Sequence, residues 1–147
     1  MKHAYTLISL VFIILIIGLL TSVAAPHLNK LKQNAQAYSV VKVAISTFCS
    51  VPSTYANVVD LESDYNDGNI TLKNLIGITG KGWSYQDENI SVYEENGINI
   101  ITIQLSANRD VNISIDCQGF SDLVSKEKCE ILTDNNSNKS YQARVSF

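Results

Sequence analysis

The chain has 147 residues, 46% of them apolar and 17% charged, with a formal net charge of −3. That length accommodates one soluble domain plus one membrane segment and excludes two full domains. The acidic balance argues against nucleic-acid binding through a basic surface, and two histidines rule out a His-rich metal site.

The shortage of charge has a local cause, because no residue from Ala4 to Pro26 is formally charged. As a helix, the stretch from Ala4 to Ala25 would cover roughly 33 Å, enough for a ~30 Å hydrocarbon core. Lys2 and His3 precede it, and Lys30 and Lys32 follow it. A buried core helix is disfavoured, since uncharged runs of this length favour membrane. A cleaved secretory signal has small residues at Ser22-Val-Ala24 before Ala25. Its apolar stretch, however, exceeds the ~7–15 residues of a signal h-region.

The start reads Met1-Lys2-His3-Ala4, then Tyr5-Thr6-Leu7-Ile8-Ser9-Leu10; Ile16-Ile17-Gly18-Leu19-Leu20 and Pro26 follow in register. This segment resembles the N-terminus of type IV pilins and of the pseudopilins of type II secretion and DNA-uptake machines. The resemblance covers about the first 26 residues. It implies cleavage between Ala4 and Tyr5 by a prepilin peptidase and methylation of the new Tyr5 amine. It also implies that Ser9, Gly18 and Pro26 act in assembly. Two residues depart from the family. Ala4 replaces the usual glycine before the cut, and Ser9 replaces a glutamate thought to meet the free amine of a neighbouring subunit. A charge at membrane depth costs about 2.5–3.5 kcal/mol on insertion scales, so Ser9 spares that cost and gives up the docking contact. The resemblance then implies a minor subunit. Gly18 is a weak helix former and Pro26 cannot donate its backbone bond, so the stretch between them is where the helix would kink or loosen.

After Pro26, Leu28, Leu31, Ala35, Tyr38, Val41, Ile45 and Cys49 recur at helical spacing. One long helix is therefore predicted from Tyr5 to Cys49, ended by Val51-Pro52-Ser53. Ser63 to Asn69 reads as a turn-rich loop. Thr71 is a cap for a short helix through Leu72, Leu75 and Ile76. Trp83 and Tyr85 read as core rather than ligand-binding residues. Ile90–Tyr93 and Ile98–Leu105 read as a hairpin turning at Asn96-Gly97, with a phase shift at Ile100-Ile101 that suggests a bulge. Val111, Ile113, Ile115 and Cys117 alternate as a strand; Cys129–Thr133 and Tyr141–Phe147 look like two more. The fold class is α+β: a long N-terminal helix, half transmembrane and half amphipathic, packed on a C-terminal antiparallel sheet, which is also the pilin plan. The divisions are a leader at 1–4, a transmembrane and filament-core helix at 5–25, an amphipathic helix at 26–50, and a periplasmic domain of αβ-loop and sheet at 51–147.

Cys117 and Cys129 are the expected disulfide of an exported chain, and many pilins carry a C-terminal disulfide loop. Cys49 reads as a buried thiol, with a bridge to either of the others as the alternative. Glu62 to Asp67 and Asp134 to Asn138 carry oxygen donors but read as solvated turns, so no metal ligand is assigned. Asp67-Gly-Asn69-Ile-Thr71, Asp87-Glu-Asn89-Ile-Ser91 and Asp110-Val-Asn112-Ile-Ser114 share the pattern Asp-x-Asn-x-Ser/Thr. It is similar to the extended acceptor sequon of bacterial N-glycosylation, and composition predicts roughly 0.2 such patterns by chance. Asn69, Asn89 and Asn112 are therefore candidate glycan acceptors, with Asn69 foremost and Asn112 on the outward face of a strand.

Taken together, the expected function is that of a pilin-like structural subunit of a short filament serving protein secretion or DNA uptake. The expected partners are the inner membrane, other pilin-like subunits, the prepilin peptidase and the inner-membrane assembly platform. No direct nucleic-acid binding and no cofactor are expected; Lys126, Lys128, Lys139 and Arg144 read as a solvated face rather than a patch. No catalytic residues are assigned, because no phosphate loop, nucleophile elbow or base beside a nucleophile is present. The alternative is an exported or membrane-tethered periplasmic binding domain.

Overall fold

The computed structural model describes residues 2–61, 70–134 and 140–147, with side chains from Thr6 onward. One helix, α1 (Lys2–Leu61), precedes a short α2 (Leu72–Leu75). Four strands follow: β1 (Trp83–Asp87), β2 (Ile90–Glu95), β3 (Ile98–Ser106) and β4 (Asp110–Ile115). A 3₁₀ turn at Cys117–Gly119, the helix α3 (Leu123–Thr133) and the strand β5 (Tyr141–Ser146) complete the chain. The strands form one antiparallel sheet in chain order, β1-β2-β3-β4-β5. The expected α+β plan is therefore present.

The second half of α1 lies against one face of this sheet. Ala37, Val41, Ala44, Phe48, Val51 and Tyr55 are buried there among Tyr93, Ile101, Ile103, Val111, Ile113 and Ile115. Their spacing of four and three is a single helical stripe. It is rotated from the expected one, with only Val41 common to both as a buried residue. Leu28, Leu31, Ala35, Tyr38 and Cys49 are exposed, and Ile45 is half-buried. Apolar residues occupy both faces between Ala35 and Cys49, so spacing alone cannot choose a face. The sheet takes the one bearing Ala37 and Ala44, whose small side chains leave room for close approach. Cys49 is thus an exposed free thiol rather than a buried one.

Two further expectations yield to packing. The helix does not end at Pro52 but runs to Leu61. An interior proline costs about 3 kcal/mol. Beyond it, Tyr55 is buried with its ring 5.0 Å from that of Phe147, and Val58 packs on the core. Burying side chains of this size contributes about 1.5–3 kcal/mol each, which offsets the proline. The second correction is that Cys129–Thr133 is not a strand but the end of α3. Asp122 caps that helix by accepting from the Ser125 amide at 2.8 Å, and Ser125, Cys129 and Thr133 face inward at intervals of four. The β-branched content of the segment suggested a strand, but the cap and the interval of four make a helix.

The hairpin forms as expected. Asn96 and Gly97 both have positive φ, 52° and 80°, as a tight turn of the primed type requires. Tyr93 pairs with Ile101 and Glu94 with Asn99, leaving Ile100 as the extra residue of a bulge. The bulge lets Ile100 and Ile101 both be buried. Thr71 caps α2, its side chain accepting from the Asn74 amide at 3.3 Å. Trp83 packs on Tyr93 with ring centroids 5.5 Å apart. The Tyr85 hydroxyl donates to the Ile76 carbonyl at 2.5 Å and accepts from the Ile78 amide at 3.1 Å. Both aromatics thus serve the fold. Gly82 beside them has φ +88°, and a Cβ there would fall 2.7 Å from the Tyr93 ring.

Candidate functional site

From Leu7 to Leu31, every large apolar side chain of α1 is exposed, at fractions between 43% and 69%. An 18-residue window of the helix has a mean hydropathy of 2.9, with none of it buried. The helix is therefore long and apolar enough to cross a membrane. An apolar surface of this extent far exceeds the few hundred Å² that soluble monomers leave bare, so lipid or protein must cover it.

The polar side chains on this rod make few demands on their surroundings. The Thr21 hydroxyl bonds to the Ile17 carbonyl at 2.9 Å and reaches the Gly18 carbonyl at 3.0 Å. The Ser22 hydroxyl donates to the Leu19 carbonyl at 2.7 Å. Such bonds to the preceding turn satisfy hydroxyls within the helix. Ser9 is exposed on the same rod. A Cβ added at Gly18 would meet nothing within 4 Å, so no contact among the described residues requires glycine there. Pro26 sits inside the continuous helix, where it removes one backbone donor. Ala4 and Tyr5 belong to α1, and their side chains lie outside the described residues.

The other end of α1 is held from two sides. The sheet covers the stripe from Ala37 to Tyr55, and α3 clasps the helix near its middle. The Ser125 hydroxyl reaches the Gln33 carbonyl at 3.4 Å, and the Lys128 ammonium lies 5.5 Å from the centre of the Tyr38 ring. A disulfide joins Cys117 to Cys129 and so ties the 3₁₀ turn after β4 to α3. This is the pairing expected for an exported chain.

The outer face of the sheet is polar. Thr102, Gln104, Asn112, Ser114, Gln142 and Arg144 line it. At its edge the carboxylate of the buried Asp110 accepts from the Arg144 guanidinium and the Ser146 hydroxyl. These two donors hold the Asp110 carboxyl below its ordinary range, the Ser146 hydroxyl contributing most. Sequence reading missed this cluster. Its signal was the pairing of Asp110 with Ser146 and of Asn112 with Arg144 on adjacent strands, which puts Arg144 diagonal to Asp110. Arg144 is thereby separated from Lys126 and Lys128 on α3, and Lys139 lies outside the described residues.

The three candidate acceptor asparagines fall in different settings. Asn69 lies outside the described residues, as do the Ser63–Asn69 loop, the Glu62–Asp67 donor run and residues 135–138 of the second donor run. Asn112 is half-buried on the outward sheet face, as expected, and its amide donates to the Ser106 hydroxyl at 3.4 Å. Asn89 is exposed in the two-residue turn between β1 and β2. Its side-chain carbonyl accepts from the Leu72 amide at 3.1 Å, and its own backbone amide donates to Asp87 at 2.6 Å. Ser91, two residues on, is fully buried and its hydroxyl has no partner. A buried unpaired hydroxyl costs about 1–3 kcal/mol. Among the described residues, no group of three or more His, Cys, Asp and Glu side chains could hold a metal ion.

No family model matches this chain, and neither does any curated protein or any solved structure. The architecture itself is pilin-like: an apolar N-terminal helix, bare over its first half, packed over its second half on an antiparallel sheet.

Proposed function

We propose that this chain is a pilin-like structural subunit, a minor pseudopilin, of a type II secretion-like or type IV pilus-like machine. The observation that carries the reading is the division of α1. One continuous helix is uncovered from Thr6 to Leu31 and buries one face, from Ala37 to Tyr55, where it meets the sheet. In this reading the rod from Tyr5 to Ala25 sits in the inner membrane, with the sheet domain in the periplasm. A prepilin peptidase trims the leader after Ala4, and the new Tyr5 amine is methylated.

Assembly exchanges lipid around the rod for the rods of neighbouring subunits. That exchange gains little hydrophobic energy, because lipid tails are as apolar as the side chains they cover. Specificity must then come from packing and from polar contacts at the rod's tip. Ser9 brings no charge to that tip, which suits a subunit present in few copies rather than the repeating one. The filament serves protein secretion or DNA uptake, and the acidic sheet domain is not the part that grips DNA.

N-terminal sequencing and intact mass of the chain purified from its native membrane test this directly. A mature chain beginning at methylated Tyr5 is the expected result. A chain beginning at Ala25 would establish a cleaved signal and the rival periplasmic binding domain. A chain retaining Met1 would rule out the processing step.

A further inference from the structure

Among the described residues, the buried hydroxyl of Ser91 on the inner sheet face has no hydrogen-bond partner. It stands on β2 opposite Tyr85 of β1 and Ile103 of β3, in a row that continues with Tyr93. Its surroundings call for an apolar residue, and alanine would fit without leaving an orphaned oxygen. A residue that the folded state disfavours points to a use outside the folded state. Ser91 is the third element of Asp87-Glu-Asn89-Ile-Ser91, and in that pattern the hydroxyl is what a transferase reads.

The acceptor residue fits the same use. Asn89 is exposed, and the Leu72 amide engages its carbonyl oxygen rather than its nitrogen. Among the described residues the side-chain nitrogen of Asn89 has no partner. Substitution on that nitrogen leaves the carbonyl free to keep accepting from Leu72. Asp110-Val-Asn112-Ile-Ser114 differs, because there the fold engages the acceptor nitrogen itself: the Asn112 side-chain amide donates to the Ser106 hydroxyl.

We infer that Asn89 is an N-glycan acceptor, modified on the periplasmic side before the sheet closes over Ser91. The co-substrate is an oligosaccharide carried on a polyprenyl diphosphate. The Asn89 side-chain nitrogen attacks the anomeric carbon, a carbon–nitrogen bond forms, and the bond from that carbon to the diphosphate oxygen breaks. The amide loses one proton and the polyprenyl diphosphate departs. The order of events follows from burial. Once folded, Ser91 is inaccessible, and the turn is pinned by bonds from the Lys73 amide to the Glu88 carbonyl and from the Leu105 amide to the Asn89 carbonyl, both 2.9 Å. The inference needs the sheet domain to be exported but does not need a filament.

The test is mass spectrometry of the full chain from its native membrane, digested after Lys and Arg. The peptide Gly82–Arg109 contains Asn89 as its single acceptor pattern. It is expected to carry one oligosaccharide. Asn89→Gln and Ser91→Ala should each abolish the modification. Ser91→Ala should keep the Cys117–Cys129 bridge and be at least as resistant to unfolding as the natural chain, which separates lost recognition from lost folding. An unmodified peptide in bridged protein would overturn the inference, as would modification that persists in Ser91→Ala. An unmodified peptide in protein with reduced cysteines would overturn it together with export of the domain.

Discussion

The two halves of α1 both present apolar side chains, in opposite circumstances. Phe12 is 65% exposed and Phe48 is 6% exposed, on one unbroken helix. The difference lies in what surrounds them. Around Phe48 the sheet and α3 supply a protein solvent, and the helix there alternates buried and exposed faces. Around Phe12 nothing among the described residues supplies one, and the helix is apolar on every side, as a rod immersed in lipid or in other rods must be. A helix that serves two solvents needs no break between them, only a change from uniform to one-sided hydrophobicity.

The sharpest way to break this comparison is to truncate the same residue type in each half. Phe48→Ala should lower the free energy of unfolding of the detergent-solubilised chain by about 3–5 kcal/mol, the cost of a core cavity. Phe12→Ala should leave it within about 0.5 kcal/mol, as for an exposed position. Equal losses in a denaturation experiment would mean that the rod is part of the folded core. A smaller effect is expected from Ile14→Asp. It adds about 2.5–3.5 kcal/mol to the insertion of the span and should shift the chain from the membrane fraction to the soluble one. Retention in washed membranes would show that something other than the span anchors the chain.

The smallest effect belongs to the sheet edge. The folded Asp110 carboxyl sits below its ordinary range, so its contribution to stability is full above the value it has in the unfolded chain. That contribution drains away as pH falls towards the folded value. Thermal unfolding followed from neutral pH down through the carboxylate range should show this decline, and Asp110→Asn should flatten it. An unchanged acid limb in the variant would remove Asp110 from the account.

The membrane rod was legible in the sequence because hydrophobicity is a property of each residue alone. The hairpin from Ile90 to Leu105 was legible because Asn96-Gly97 and the repeated apolar pair at Ile100-Ile101 are local signals. The features that were misread depend on partners distant in the chain. Which face of α1 is buried depends on where the sheet lands, and Pro52 is tolerated because Phe147 covers Tyr55. Strand β1 went unseen because only Trp83 and Tyr85 in it are half-buried and the rest is polar and exposed, the two aromatics taking their roles from Tyr93 and Ile76. The Asp110–Arg144 contact appears only once β4 and β5 are in register.

The strand order of the sheet carries a kinetic consequence. Each of the first three strands is joined to its successor by only a few residues, so the pairings from β1 to β4 close small loops and cost little chain entropy. The clasp between Ser125 and Gln33 is another matter, bridging 92 residues. Folding rates fall as such distant contacts come to dominate. The meander can therefore form early and unaided, and capture of the long helix is the slow closing step.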